Sequence, residues 1–160
     1  MIALVTGGAA SGKSAFAERL AIALLGPHTY VATMRHGDGE TEARIARHRE
    51  MRAGKGFTTV ELADGNSSQP AKAGTALLED LGNLVANGLE GELGGLLEFD
   101  NLVIVANEVG CDGIRYDGFT MDYIEKLGSL ACKLASRADV VVEVVAGIPN
   151  VVKGELPCSL

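Results

Sequence analysis

Apolar residues recur along this chain in two alternating rhythms. Short runs rich in β-branched or aliphatic residues, Ile2 to Thr6, Thr29 to Ala32, Leu102 to Ala106 and Val140 to Val145, read as buried strands. Lys13 to Leu25 instead places Phe16, Leu20 and Leu24 four apart, on one face of a helix. Thr120 to Arg137 does the same with Ile124, Leu127, Ala131 and Leu134. Gly26-Pro27 closes the first helix, and Glu40 to Arg52 reads as a charged helix with acids first and bases last, the order its dipole favours. Phe57 to Leu62 is a further strand, followed by a loop from Ala63 to Gly74. Thr75 to Leu78 suits a short buried strand before a helix from about Leu81 to Leu89, although the same residues also suit one continuous helix. Glu90 to Gly95 is glycine-rich and interrupts the pattern, and Gly147 onward reads as an irregular tail after a final buried strand. Strands alternating with helices predict an α/β fold of one domain, residues 1–160, with a mainly parallel sheet flanked by helices. In such sheets ligands collect at the carboxyl ends of the strands.

Between the first strand and the first helix stands Gly7-Gly8-Ala9-Ala10-Ser11-Gly12-Lys13-Ser14, which fits the phosphate-loop pattern G-x-x-x-x-G-K-[ST]. The context is the one the pattern needs. Successive backbone N–H groups and the helix N-terminus can surround a polyphosphate there. Glycine lets the backbone approach the phosphates. Lys13 would bridge terminal phosphate oxygens, and the Ser14 hydroxyl would help hold Mg²⁺. The fold expected is therefore like that of P-loop NTPases.

Composition narrows the reading further. Hydrophobic residues make up 47% of the 160 and charged residues 22%, a globular balance. A net charge of −7 argues against a nucleic-acid surface. No apolar run approaches the roughly 18–20 residues of a membrane span, and the start of the chain leads straight into a strand, so no signal peptide is expected. Cys111, Cys132 and Cys158 share no C-x-x-C pattern and read as reduced thiols of a cytoplasmic protein, with no zinc site.

Other groups bear on the chemistry. Arg44, His48 and Arg52 form one stripe of the charged helix, with Arg47 and Arg49 beside it. Such a stripe is commonly a solvated face. Against that, neighbouring cations keep His48 neutral, and a neutral imidazole beside a triphosphate can attack phosphorus. His28 and His36 have no such setting and read as structural or exposed. Glu79 and Asp80 end an apolar run, where a carboxylate completes Mg²⁺ coordination or merely starts a helix. Glu61 and Glu108 close two other strands; Glu61 could accept from a guanine or ribose, and Glu108 could serve metal or substrate.

In this order the pieces resemble the bifunctional adenosylcobinamide kinase / adenosylcobinamide-phosphate guanylyltransferases of cobalamin synthesis. The carrying residues are Leu4 to Gly8 with Ser11 to Ser14, Tyr30 to Thr33, Glu42 to Arg49, Val60-Glu61, Leu77 to Glu79, Asn107 to Gly110, and the ending from Ala138 to Val141 through Gly147-Ile148. Cys111 to Asp122 with Tyr123-Ile124-Glu125, Ala131-Cys132, and the shortened, glycine-rich region from Ala63 to Asp100 depart from the family's usual pattern. The resemblance implies transfer of a γ-phosphoryl group from GTP or ATP to the aminopropanol hydroxyl of cobinamide. His48 would then attack the α-phosphorus of GTP, forming a GMP-histidine intermediate that passes GMP to cobinamide phosphate. It implies nucleotide contacts from the loop, Ala32, Thr33, Met34, Arg49, Glu50, Met51, Arg52, Glu61 and Glu79, Mg²⁺ on Ser14 and Glu79, a corrinoid partner and a homo-oligomer, typically a trimer. The residues alone also admit a small-molecule P-loop kinase without guanylyl transfer, or a nucleotide-binding regulator that has lost catalysis.

Overall fold

A computed structural model describes residues 1–33, 54–62, 72–158 and 160. Its strands are β1 (Ile2–Gly7), β2 (His28–Ala32), β3 (Phe57–Glu61), β4 (Thr75–Leu78), β5 (Asn101–Asn107), β6 (Val140–Val145) and β7 (Ile148–Lys153). The helices among the described residues are α1 (Lys13–Ala23), α2 (Leu81–Ala86), α3 (Leu93–Leu96) and α4 (Gly118–Arg137). One sheet takes the order β3-β2-β4-β5-β1-β6-β7, parallel throughout except for the antiparallel β6–β7 pair.

The period-two alternation of the central strands fills both faces. Ala3, Val5, Val103, Val105, Val140, Val142 and Val144 turn to one side, where Phe16, Ala17 and Leu20 of α1 cover them. Leu4, Leu102, Ile104, Ala106 and Val141 turn to the other, against Leu81 and Leu84 of α2, Leu93 and Leu96 of α3, and Leu127 and Leu134 of α4. Phe16 and Leu20 are 1% and 0% exposed, and burying such side chains stabilises by about 1.5–3 kcal/mol each. That packing fixes the N-terminus of α1 beneath the end of β1.

The structure selects the strand for Thr75–Leu78, whose four residues are all buried, over the continuous helix. The pattern is interrupted at Glu90 to Gly95, where Glu90–Glu92 is a 3-10 turn leading into α3, held by the buried Leu93 and Leu96. The structure corrects one expectation, at the end of the chain. The segment after Gly147 is not an irregular tail but strand β7, while β6 remains the last buried strand. All six residues of β7 are exposed, and Pro149 is tolerated because this is a sheet edge. Lys153 at its end donates to the Ala135 and Ser136 carbonyls at 3.0 Å, capping the C-terminus of α4. The predicted helix from Glu40 to Arg52 and most of the predicted loop after Ala63 lie outside the described residues.

Candidate active site

The loop between β1 and α1 has a backbone that few side chains would permit. Gly7 has φ +153°, and a Cβ there would stand 2.5 Å from the Val144 carbonyl oxygen. Ala10 (φ 56°) and Gly12 (φ 91°) are also in the left-handed region. The Ser11 N–H donates to the Gly8 carbonyl at 3.2 Å, and the Gly147 N–H donates to the Ser11 carbonyl at 2.8 Å. Gly12 caps α1 with no side-chain bond, so the first N–H groups of that helix remain directed at the loop. The Ser11 hydroxyl oxygen is enclosed without a hydrogen-bond partner. A ring of backbone donors at a helix start is an anion site by construction.

Lys13 is only 6% exposed, and its Nζ donates to the Gly8 carbonyl at 3.0 Å. Burial lowers its pKa below the ordinary lysine value, while the charges of Asp80 and Glu108 act in the opposite direction. Those two carboxylates therefore share the amine's surroundings. Asp80 is firmly held: Oδ1 accepts from the Gly82 and Asn83 N–H groups at 2.7 and 3.2 Å, capping α2, and Oδ2 accepts from Asn107 Nδ2 at 2.9 Å. Asn107 ends β5 in register with Gly7, and the Glu108 N–H donates to the Gly7 carbonyl at 3.3 Å. Tyr123 of α4 reaches the same corner: its hydroxyl would lie 2.7 Å from a Cβ on Gly82. Burial, then the Asp80 charge, raises the Tyr123 pKa.

The predicted contacts among the described residues occupy strand ends on the same side of the sheet. Ala32 closes β2 in register with Glu61 of β3, and Val31 pairs with Leu78 immediately before Glu79. Thr33 is fully buried; its hydroxyl donates to the Asp80 carbonyl at 3.3 Å, and its own carbonyl accepts from Asn87 Nδ2 at 2.8 Å. Ser14 is exposed on the first turn of α1. His28 is structural, with Nε2 3.1 Å from the Leu24 carbonyl and its ring beside Phe57. Met34, His36, Arg44, Arg47, His48, Arg49, Glu50, Met51 and Arg52 lie outside the described residues. Sequence reasoning met Asn107, Tyr123 and Gly147 only as parts of family segments and gave none of them a role at the site. Tyr123 and Gly147 reach the site from far along the chain, and no local pattern marks them.

A family model described as cobinamide kinase / cobinamide phosphate guanyltransferase matches residues 3–95 and 96–152. The chain belongs to this family. It is accordingly an enzyme, a kinase and guanylyltransferase of cobalamin biosynthesis. One curated relative is the bifunctional adenosylcobalamin biosynthesis protein CobP of Pseudomonas aeruginosa, 37% identical over 169 residues, which cover 95% of this chain and 97% of that protein. Among solved structures, a KaiC-like protein, PH0186, from Pyrococcus horikoshii aligns with a TM-score of 0.43 and 13% identity over 89% of this chain and 69% of its own. No helix among the described residues is long and apolar enough to cross a membrane.

Proposed function

We propose that one phosphate cradle, the Gly7–Ser14 loop, serves two successive reactions on a corrinoid. In the first, the aminopropanol hydroxyl of cobinamide attacks the γ-phosphorus of a nucleoside triphosphate, and the nucleoside diphosphate leaves. In the second, the neutral His48 imidazole attacks the α-phosphorus of GTP, and pyrophosphate leaves. An oxygen of the cobinamide phosphate then attacks the histidine-bound phosphorus, regenerating His48 and yielding GDP-activated cobinamide. The observation that carries this reading is the buried Lys13 amine inside a ring of backbone donors, with two carboxylates in its field. A cation held there meets charge developing on the leaving phosphates without reorganising.

Ala32, Thr33, Met34, Arg49, Glu50, Met51, Arg52, Glu61 and Glu79 are the proposed nucleotide contacts. Mg²⁺ suits these strand ends, because it prefers phosphate and water oxygens with one or two protein ligands. Among the described residues no three metal-binding side chains gather into a cage; Ser14 is exposed on the first turn of α1, Asp80 acts on Lys13 through its charge, and Glu79 directly precedes Asp80. When bound, Mg²⁺ would neutralise charge on the phosphates. The chain's own part is to orient them with backbone N–H groups and to hold the Lys13 proton on Nζ.

Parallel incubations with α-labelled and γ-labelled GTP test the proposal. Label should reach the protein from the α position alone and cobinamide from the γ position. Transfer of γ label with no protein-bound α label would support a simple kinase. Tight GTP binding with neither transfer would support a regulator.

A further inference from the structure

The β6–β7 hairpin turn is packed on the phosphate loop rather than projecting into solvent. Val145 pairs with Ile148, so Ala146 and Gly147 form a two-residue turn. Their φ angles of 50° and 81° give positive φ at both central positions, the arrangement that matches hairpin twist. Ala146 and Ala10 are the two non-glycine residues with positive φ among the described residues, and they lie on opposite sides of one contact. That contact is the Gly147 N–H donating to the Ser11 carbonyl at 2.8 Å. The fit is close: a Cβ on Gly12 would stand 3.2 Å from the Gly147 Cα, and one on Gly7 would strike the Val144 carbonyl. Unfavourable backbone conformations concentrate where a functional geometry has to be held.

The consequence follows from peptide geometry. In a trans peptide the C=O and N–H point in opposite directions. Tethering the Ser11 carbonyl to the hairpin therefore turns the Gly12 N–H away from it, toward the open side of the loop. Among the described residues the Gly12 N–H meets no backbone acceptor. We propose that Gly147 is a positioning residue, which orients the Ser11–Gly12 peptide so that the Gly12 N–H is aimed at bound phosphate. Strand β7 then has a function despite burying none of its residues: with Lys153 anchored on α4, it holds the turn in place. This inference rests on the phosphate-cradle reading above.

The test replaces the Gly147 N–H by an ester oxygen, which removes the donor and leaves the turn's shape. Pyrophosphate and GTP should bind about tenfold more weakly, near the lower end for one hydrogen bond to a charged group, and guanosine should bind as before. An ester at Val151 should change none of the three, because alternation from the Val145–Ile148 pair turns its N–H off the sheet edge. Inserting one glycine after Gly147 withdraws the donor by a second route and should reproduce the loss. Unchanged pyrophosphate affinity in the 147 ester, or an equal loss for guanosine, would overturn the proposal. Lys13→Ala, measured alongside, separates the two levels. If it weakens pyrophosphate binding while the ester does not, the positioning role alone fails; if neither does, the cradle reading fails with it.

Discussion

Asp80→Asn isolates charge from structure at the centre of the site. Asparagine keeps an oxygen for the Gly82 and Asn83 N–H groups, and it caps helices about as well as aspartate. Asn107 can present its own amide oxygen to the new NH₂ group, so the stability change should stay within about 1 kcal/mol. Asp80→Ala loses the cap, about 1 kcal/mol, and also leaves Asn107 Nδ2 without its acceptor, for a total of about 2 kcal/mol. In a chain of this size that lowers the thermal midpoint by roughly 4–8 °C. Both variants remove the charge that favours protonated Lys13. Its pKa, already below 10.5 through burial, should fall further. On the phosphate-cradle proposal the charged amine binds phosphate, so the alkaline loss of pyrophosphate affinity should move to lower pH in both. The stability sign is opposite: between the lowered folded pKa and 10.5 the unfolded chain binds more protons, so Lys13 makes stability rise with pH. That window should widen downward without Asp80. The assays are thermal unfolding and pyrophosphate calorimetry across pH. An alkaline limb that stays in place in Asp80→Asn would refute the coupling.

Three further outcomes follow. Lys13→Ala should slow both phosphoryl transfer and guanylylation on the order of 100-fold or more, as loss of a positioned cation at developing charge does; unchanged rates in both assays would remove the loop from the active site. Glu79→Gln should raise the Mg²⁺ concentration needed for GTP binding, and a larger effect from Asp80→Asn would make Asp80 the principal carboxylate. Gly7→Ala forces a Cβ against the Val144 carbonyl at 2.5 Å and should cost about 2 kcal/mol or more, read as a midpoint lower by several degrees, together with weaker GTP binding; an unchanged midpoint would contradict the close approach of β6.

What the sequence disclosed was what local pattern encodes. The strands with buried faces announced themselves by β-branched runs, and α1 and α4 by apolar residues at helical spacing. The glycine-rich loop between β1 and α1 was legible because its pattern sets glycines and a lysine at fixed positions between a strand and a helix. Strand β7 was not, since an edge strand with six exposed residues, Pro149 and Asn150 among them, carries no alternation to read. The 3-10 turn at Glu90–Glu92 was hidden by glycines whose helical state depends on burying Leu93 and Leu96. At the site, strand-end carboxylates were foreseeable as a class. Which of them shares the field of Lys13 depends on Asn107, Glu108 and Tyr123 arriving from other elements. The contact between Ser11 and Gly147 spans nearly the whole chain, and no local rule predicts it.

The most direct test of the two-reaction account is protein-bound GMP in His48→Asn compared with the parent chain. Asparagine cannot form a phosphoramidate bond, while the loop and its lysine continue to supply phosphate binding. With α-labelled GTP and Mg²⁺ near neutral pH, the parent should carry acid-labile label and His48→Asn none, with GTP affinity within a few-fold and γ-phosphoryl transfer to cobinamide retained. An adduct still formed by His48→Asn would place the nucleophile elsewhere. No adduct on the parent would contradict guanylyl transfer through the protein.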